Sequence, residues 1–294
     1  MRLTPTAGRL DSPPADEHGA GWHARLELGF ESAAPGSTVL AHRSHVGPLR
    51  VQKALYPEGR RVCHSVIVHP PGGIAAGDRL EIDIRLAAHA HALVTTPGAT
   101  KWYKTPCSAA AQSTCIRIAR GAILEWLPQE AIVFNHANPC STLDVTLAAG
   151  ALFIGWDILC FGRTAAGETY AEGRYRQCWQ IRQEHALLWN ETGVLEGGSA
   201  LMAAPAGMGG APVCATLVAA GKPVDSALLD ALRAEMAALP ARGRIAATRL
   251  PMAVAVRYLG HSTEEARTAL VAVWSILRPH LAGIEARPPR LWRT

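Results

Sequence analysis

The segment from His69 to Asp78 (HPPGGIAAGD) combines the residue types of a catalytic or metal-binding loop. An imidazole at one end and a carboxylate at the other would suit acid–base chemistry or the binding of a metal ion. Prolines fix the backbone φ angle, whereas glycines adopt angles that other residues avoid. Such positions inside the loop are Pro70, Pro71, Gly72, Gly73 and Gly77.

No other catalytic motif supports an enzymatic function for this loop. The sequence lacks the glycine spacing of a dinucleotide-binding turn, a phosphate-binding loop and a His-Glu-x-x-His zinc motif. Cys63 and His64 are neighbours in a predicted strand, so their side chains point to opposite faces and are not expected to bind one metal. The residues alone therefore leave the loop as a candidate for structure as much as for chemistry.

The segments that must position this loop are predicted β-strands. Leu80–Leu86 alternates apolar and charged residues, which is typical of a strand with one buried and one solvated face. A period of two continues from Trp22 to about Val194. The sequence thus predicts a mainly β body.

Four similar segments recur about every 30 residues within this body. Each one is the end of a strand, a tight turn and a second apolar strand, which indicates strands that stack by repetition. A solenoid or irregular β-helix and a large β-sandwich with similar hairpins both fit this pattern. The segments are 86–93, 118–124, 147–153 and 181–188.

The C-terminal part has a different pattern, after a glycine-rich loop at 197–212. Asp225 or Ser226 can cap a helix with an apolar stripe, and Ser262 with Glu265 fits a capping box. The second helix is expected to end before Pro279. Residues 252–258 read as one buried strand between the helices, and residues 1–20 as a disordered leader.

The composition is that of an ordinary globular protein. The 294 residues include 49% hydrophobic and 18% charged residues, with a net charge of +5 spread along the chain. A nucleic-acid-binding protein usually concentrates its basic residues, and a membrane span needs about 18 apolar residues in a row, so neither partner is expected. Seven widely spaced cysteines and an N-terminus without a signal-like apolar run predict a cytoplasmic protein with reduced thiols.

Several motifs in order resemble the UreD (UreH) family of urease accessory proteins. The resemblance runs from about Trp22 to Thr294. Its segments are His69–Asp78, Thr96–Lys104 (TPGATKWYK), Glu125–Phe134 (EWLPQEAIVF), Gly155–Arg163 (GWDILCFGR) with Gly167-Glu168, Val273–Pro279 and Pro289–Trp292. The motif positions to which we assign a structural role are Pro70, Pro71, Gly72, Gly73, Gly77, Pro97, Gly98, Lys101, Pro128, Gln129, Trp156, Gly162 and Arg163.

The resemblance implies a fold and a role that the residues alone do not. It implies a mainly β, right-handed β-helix-like superhelix of stacked strands with two α-helices near the C-terminus. Residues 21–294 would form a single domain with its helical part at about 224–280. The protein would be a non-enzymatic metallochaperone scaffold that acts with UreF and the GTPase UreG on apo-urease. It would hold no tight cofactor, and nickel would be in transit only.

A conduit for nickel needs ligands that release the ion, such as scattered carboxylates and hydroxyls. The candidates for a nickel path are Glu58, His69, Asp78, Thr95, Glu130, Asp157 and Glu168. We expect UreF to bind the helical end and the neighbouring strands. Candidate anchors for partners are Trp102, Tyr103, Leu228, Leu232 and Trp274.

Two other functions remain as alternatives. One is a β-helix hydrolase or lyase that uses paired carboxylates from among Glu125, Glu130 and Asp157, which would require two of them to converge within about 5–10 Å in an open cleft. The other is a nickel-storage protein, which would bind nickel tightly and stoichiometrically.

Overall fold

The computed structural model describes residues 21–105 and 109–293, so the predicted leader at 1–20 lies outside the described residues. Strands make up 47% of the structure. The strands are β1 (His23–Ala34), β2 (Ser37–Val46), β3 (Arg50–Val51), β4 (Cys63–Val68), β5 (Arg79–Leu86), β6 (His91–Thr95), β7 (Thr100–Trp102), β8 (Ala110–Ile118), β9 (Ile123–Trp126), β10 (Ala131–Val133), β11 (Pro139–Leu147), β12 (Leu152–Phe161), β13 (Arg174–Gln183), β14 (Ala186–Glu196), β15 (Val213–Ala220), β16 (Arg244–Leu250) and β17 (Ala253–Gly260). The helices are α1 (Ala200–Ala203), α2 (Ser226–Ala238) and α3 (Thr263–Ala282), with short 3₁₀ turns at Thr164–Ala166 and Arg290–Arg293.

The strands form two sheets that the chain visits alternately. Strands β4, β6, β9 and β12 pair in parallel in the ten-stranded sheet, and β5, β8, β11 and β13 pair in parallel in the seven-stranded sheet. Each turn of the solenoid uses one strand from each sheet, which gives a β-solenoid of about 4 turns. The predicted β-helix-like superhelix is confirmed, and the sandwich of hairpins is not observed.

The four repeated segments lie at the same end of the solenoid. Three of them connect one sheet to the other, whereas the fourth is the antiparallel hairpin between β13 and β14. The tight turn in each of these segments contains one residue with a positive φ angle: His89 (62°), Gly121 (65°), Gly150 (71°) and Glu184 (53°). At Gly121 a Cβ atom would lie 2.7 Å from His89 Nδ1, so stacking as well as φ requires glycine there.

Two hydrophobic cores hold three layers together. The first fills the space between the two sheets and includes Leu26, Ile84 and Phe153. The second lies between the ten-stranded sheet and the helices, and includes Trp156 and Trp274. The alternating strands therefore point one set of side chains inward, as the period of two predicts.

The C-terminal helices match the predicted positions, with one correction. Asp225 Oδ1 accepts a hydrogen bond from Leu228 N at 2.7 Å and caps α2, and Ser262 Oγ accepts one from Glu265 N at 3.2 Å and caps α3. The predicted end of α3 before Pro279 is wrong, because the helix continues to Ala282. It ends at Gly283 (φ 65°), whose amide donates to the Pro279 carbonyl. Proline removes only one helical hydrogen bond, and burial of the last turn outweighs that loss.

No helix within residues 21–105 and 109–293 is long and apolar enough to cross a membrane.

Candidate functional site

The last two motif segments lie in α3 and at the C-terminal 3₁₀ turn, whereas the motif segments of the β body meet at the end of the solenoid opposite the four tight turns. There the chain crosses from the ten-stranded to the seven-stranded sheet, and each crossing hydrogen-bonds to the next. Ile74 N donates to Lys101 O (2.7 Å), Thr100 N to Glu130 O (2.8 Å), and Gly162 N to Val133 O (2.7 Å). Segments separated by about 30 residues in the sequence therefore become one layered surface. We call this surface the crossing end.

The His69–Asp78 loop is the first of these crossings, and its carboxylate holds the loop in place. Asp78 Oδ1 accepts a hydrogen bond from Trp22 N and Oδ2 accepts one from Ala75 N, both at 2.8 Å. Gly73 lies against Tyr103, where a Cβ atom would come within 2.4 Å of the ring. Asp78 thus ties the loop to the start of β1.

His69 is the loop residue that has a free donor atom for a ligand. Its Nε2 is buried and has no hydrogen-bond partner among the described residues. Burial lowers the pKa of the imidazole, an effect that the charge of Asp78 opposes. A neutral imidazole with an unshared nitrogen is a ready ligand for a transition metal.

Two cavities lie between the sheets, and they meet at Asp157. The first has a volume of about 520 Å³ and its lining includes His69, Lys101 and Gln129 from the crossing end. The second, of about 680 Å³, extends toward β14 and β16. Asp157, Leu159 and Tyr175 line both.

Asp157 is the carboxyl group at this junction, on β12. Its Oδ2 accepts a hydrogen bond from Gln177 Nε2 at 2.7 Å. Burial and the negative charge of Glu191 raise the pKa of Asp157 to about 7. Asp157 as a residue is half-buried, and it lines both cavities.

The neighbours of Asp157 form a polar wall in the second cavity. Glu191 Oε1 accepts from Arg257 Nη1 at 2.7 Å, and Arg257 also donates to Thr216 Oγ1 at 3.2 Å. Glu191 Oε2 is buried and has no hydrogen-bond partner among the described residues. Sequence reasoning missed Glu191, because it lies in a strand without a motif.

Glu58 lies apart from both cavities, in a buried ion-pair network. Arg278 Nη1 and Nη2 donate to its two oxygens at 2.7 and 2.9 Å, and His64 Nε2 donates at 2.6 Å. Burial alone would raise the pKa of Glu58, but the hydrogen bonds from His64 and Arg278 hold it at about 2.

A second buried carboxylate, Glu125, extends this network. It accepts hydrogen bonds from Arg278 Nε at 3.0 Å, from Trp274 Nε1 at 2.6 Å and from His91 Nε2 at 2.7 Å. Burial opposes the shift, but hydrogen bonding from His91 and the charges of His91 and Arg278 lower the pKa of Glu125. The network fastens α3 to the solenoid, and no motif in the sequence indicates that residues so far apart form a pair.

The other path candidates are dispersed. Thr95 is buried, donating to Leu127 O (2.6 Å) and accepting from Trp292 Nε1 (2.9 Å). Glu130 lies 3.6 Å from Arg267, and Glu168 forms an ion pair with Arg163 at 2.9 Å. Of the seven candidates, the cavities bring together His69 and Asp157. No three His, Cys, Asp or Glu side chains in the described part of the chain come close enough to hold a metal ion.

The candidate partner anchors lie mostly inside the chain. Trp102, Leu228, Leu232 and Trp274 are buried. Trp102 packs between the sheets, and the other three pack between the helices and the ten-stranded sheet. Tyr103 is half-buried, with its ring edge-to-face against Phe134 at 5.2 Å. Their apolar character therefore serves the core of this chain.

The structural motif residues shape the crossing end. Pro128 O accepts from Trp156 Nε1 at 2.8 Å, and Gln129 Oε1 accepts from Arg267 at 2.9 Å. Gly162 has a φ of 91°, and a Cβ atom there would lie 2.4 Å from Glu168 O. The lining of the first cavity includes Gly72, Gly73, Pro97, Gly98, Lys101, Pro128 and Gln129.

Comparison with known proteins identifies the family of this chain. A match to the family model described as "UreD urease accessory protein" covers residues 23–293. A urease accessory protein UreD from Janthinobacterium sp. (strain Marseille) is 49% identical over 271 residues, which is 92% of this chain and 91% of the relative. Relatives of the same name from Azoarcus sp. (strain BH72) and Pseudomonas aeruginosa are 48% and 45% identical, each over 93% of this chain and 95% of its own length. The chain belongs to the UreD family of urease accessory proteins.

Proposed function

We propose that this chain is a cytoplasmic, non-enzymatic scaffold for urease maturation, through which nickel passes toward apo-urease in a complex with UreF and the GTPase UreG. The family membership supports a role in urease maturation. The observation that carries the proposed path is the pair of cavities that share Asp157. Nickel is the cargo in this proposal.

The groups along the cavities suit a cation in transit. His69 offers one free nitrogen, and Asp157 and Glu191 offer oxygens at the junction and in the second cavity. A site with one or two such ligands binds a divalent ion weakly enough to release it, whereas a cage of four N or S ligands would retain it. The raised pKa of Asp157 fits this role, because an approaching cation favours the charged carboxylate.

The test is the double variant D157N/E191Q in cells that lack their own UreD. We expect nickel per urease active site to fall by about an order of magnitude. The junction of the two cavities would lose its negative charge, so a cation would no longer be attracted into the cavities. UreF and UreG should still co-purify with the variant. The matched control D144N/E235Q removes two exposed acids elsewhere and should load urease normally. Normal loading by D157N/E191Q would contradict the path.

The proposed UreF contact at the helical end needs a surface test. Removal of everything after Leu250 would delete β17, which pairs with both β15 and β16, and would disrupt the sheet itself. Substitution of exposed residues of α2, such as Ala231→Glu with Arg233→Glu, leaves the core intact. We expect this pair to weaken co-purification with UreF. Full co-purification would argue against docking on α2.

One observation bears on the hydrolase alternative. Asp157 and Glu191 are close enough to interact electrostatically, and an acid with raised pKa beside a second carboxylate is a pattern of acid–base catalysis. Glu191, however, is tied to Arg257, and the other named acids, Glu125 and Glu130, face Arg278 and Arg267. Turnover of glycoside substrates that disappears in D157N would favour the enzyme over the scaffold.

Equilibrium dialysis of the purified chain with Ni²⁺ distinguishes nickel storage from nickel transit. Transit predicts weak binding or several unequal sites. Tight binding of a fixed number of ions would instead indicate storage.

A further inference from the structure

The second cavity opens to the surface between the last strands of the two sheets. Its lining includes Val194 on β14 and Arg244 and Ile245 on β16. A smaller adjoining cavity of about 300 Å³ shares Pro205, Arg244 and Leu259 with it. We call this continuous depression the β14–β16 groove.

The groove carries positive charge that the chain does not neutralise. Arg242 and Arg244 are exposed, and neither forms an ion pair with a carboxylate among the described residues. Arg257 is already paired with Glu191 at 2.7 Å. The charge left over at the mouth of the groove is therefore that of two guanidinium groups, which bind carboxylates in a bidentate manner.

Large apolar side chains lie exposed beside these charges. Val194 is 39% exposed and Leu201 is 46% exposed, and both line the second cavity. Met208 and Ile245 continue the apolar wall inward. Exposed apolar surface next to charged residues is typical of a protein interaction site.

Both walls of the groove end in strands with one free edge. In the described part of the chain, β14 pairs only with β13 and β16 pairs only with β17. The outer edge of such a strand presents backbone N–H and C=O groups that can pair with another extended segment. The groove thus offers backbone, charged and apolar recognition in one place.

We propose that the β14–β16 groove is the docking site for an extended segment of a partner protein, whose carboxylates meet Arg242 and Arg244 and whose apolar side chains cover Val194 and Leu201. The inner end of the groove reaches Asp157, so a bound segment lies at one mouth of the cavity path. The proposal rests on the proposed function only for the choice of UreF as the partner to test.

The main test compares binding of purified UreF to the full chain, to R242E/R244E and to the control R43E/R120E. The control reverses two exposed charges on β2 and on the β8–β9 turn, so the net charge of both variants is equal. We expect R242E/R244E to bind about tenfold more weakly, with the control within about twofold of the original chain. R242Q/R244Q removes the charges without reversal and should bind about threefold more weakly. Circular dichroism checks that each variant is folded.

A second arm uses peptides and does not depend on UreF. The probes are a fluorescein-labelled peptide of alternating Val and Asp and its Val and Lys counterpart. We expect the full chain to prefer the Val/Asp peptide, with binding that weakens as salt is added, and R242E/R244E to reverse the preference.

The outcomes separate the two proposals. Equal binding of UreF by the chain and R242E/R244E, or a preference for the Val/Lys peptide, would overturn the docking site and leave the nickel path standing. Absence of UreF binding with retained preference for the Val/Asp peptide would support the groove and contradict the proposed complex. A homodimer of the chain that R242E/R244E dissociates would show that a second copy occupies the groove, and would overturn the proposed occupant.

Discussion

At the scale of single residues, Arg278 is the cation at the centre of the buried ion-pair network. It is fully buried and is shared by two carboxylates, Glu58 and Glu125, with Trp274 beneath its guanidinium plane at 5.0 Å. Burial opposes its charge, but the hydrogen bonds that Arg278 donates to Glu58 and the negative charges of both carboxylates raise the pKa of Arg278. A buried charge is tolerated only when it is paired, so removal of either acid leaves Arg278 buried with one carboxylate partner fewer.

The variant E58Q tests this pairing. We expect the free energy of unfolding to fall by about 3–5 kcal/mol at pH 7, because Arg278 remains buried with one partner fewer. Urea unfolding followed by tryptophan fluorescence gives the value. The matched control E196Q removes the exposed partner of Arg174, 3.7 Å away, and should leave stability unchanged within error. A small effect of E58Q would mean that water enters the network.

The same residue predicts a pH dependence. The pKa of Glu58 lies at about 2 in the folded chain against 4.5 for a free glutamate, so its stabilising effect is present above pH 4.5. That effect is lost as the pH falls from 4.5 through 2. The difference in unfolding free energy between the original chain and E58Q should therefore shrink over this range. A constant difference down to pH 2.5 would contradict the assigned pKa.

Asp78 connects residue chemistry to loop structure. Both oxygens accept backbone N–H groups, so D78N places an amide donor where an acceptor is needed. We expect D78N to lose about 1–3 kcal/mol of stability, as for a buried amide left without its acceptor. If stability is unchanged but nickel transfer falls, Asp78 acts on the ion instead of on the loop.

At the scale of elements, the tight turns opposite the crossing end determine how successive turns of the solenoid stack on one another. Gly121 has a positive φ and lies next to the ring of His89, which belongs to the neighbouring tight turn. A side chain at this position meets backbone strain and a steric clash together. The turn therefore restricts the sequence more than its exposed position would indicate.

The variant G121A should destabilise the chain by about 1–3 kcal/mol because alanine disfavours positive φ and its Cβ displaces His89. Gly98 is the matched control, since its φ is not positive and no atom lies within 4 Å of a Cβ there. Thermal unfolding of both variants gives the comparison. Equal melting temperatures for G121A and G98A would show that the turn can relax.

At the scale of the whole molecule, stability should decrease from the inner coils to the sheet edges. Strands β8, β9, β11 and β12 each have a neighbour on both sides, whereas β2, β14 and β16 each have one. Backbone hydrogen bonds that are covered on both sides open only with global unfolding.

Hydrogen exchange measured by mass spectrometry tests this gradient. Peptides from β8, β9 and β12 should exchange slowest, and peptides from β14 and β16 fastest among the strands. Addition of UreF should slow exchange in β14 and β16 if the groove is occupied, and leave the control strand β2 unchanged. Protection of β2 alone would place the contact on the opposite edge.

The sequence by itself determined the strand pattern, the recurrence of the turns and the family motifs. Each of these is local, because alternation, turn chemistry and capping act over a few residues. Local chemistry predicts Ser262 as the cap of α3 and either Asp225 or Ser226 as the cap of α2, and the structure shows that Asp225 is the one that caps α2. The error at Pro279 arose because a local rule was outweighed by burial of the last turn of α3.

Only the tertiary structure decided which of the polar residues act together. Asp157 and Glu191 come together because β12 and β14 face each other across the second cavity, and Glu58 meets Arg278 across 220 positions of sequence. The same packing buried Trp102 and Trp274, which in sequence resemble interface anchors. The pattern of a strand fixes which side of a sheet a residue occupies, but which coil or helix lies opposite depends on how the whole chain is wound.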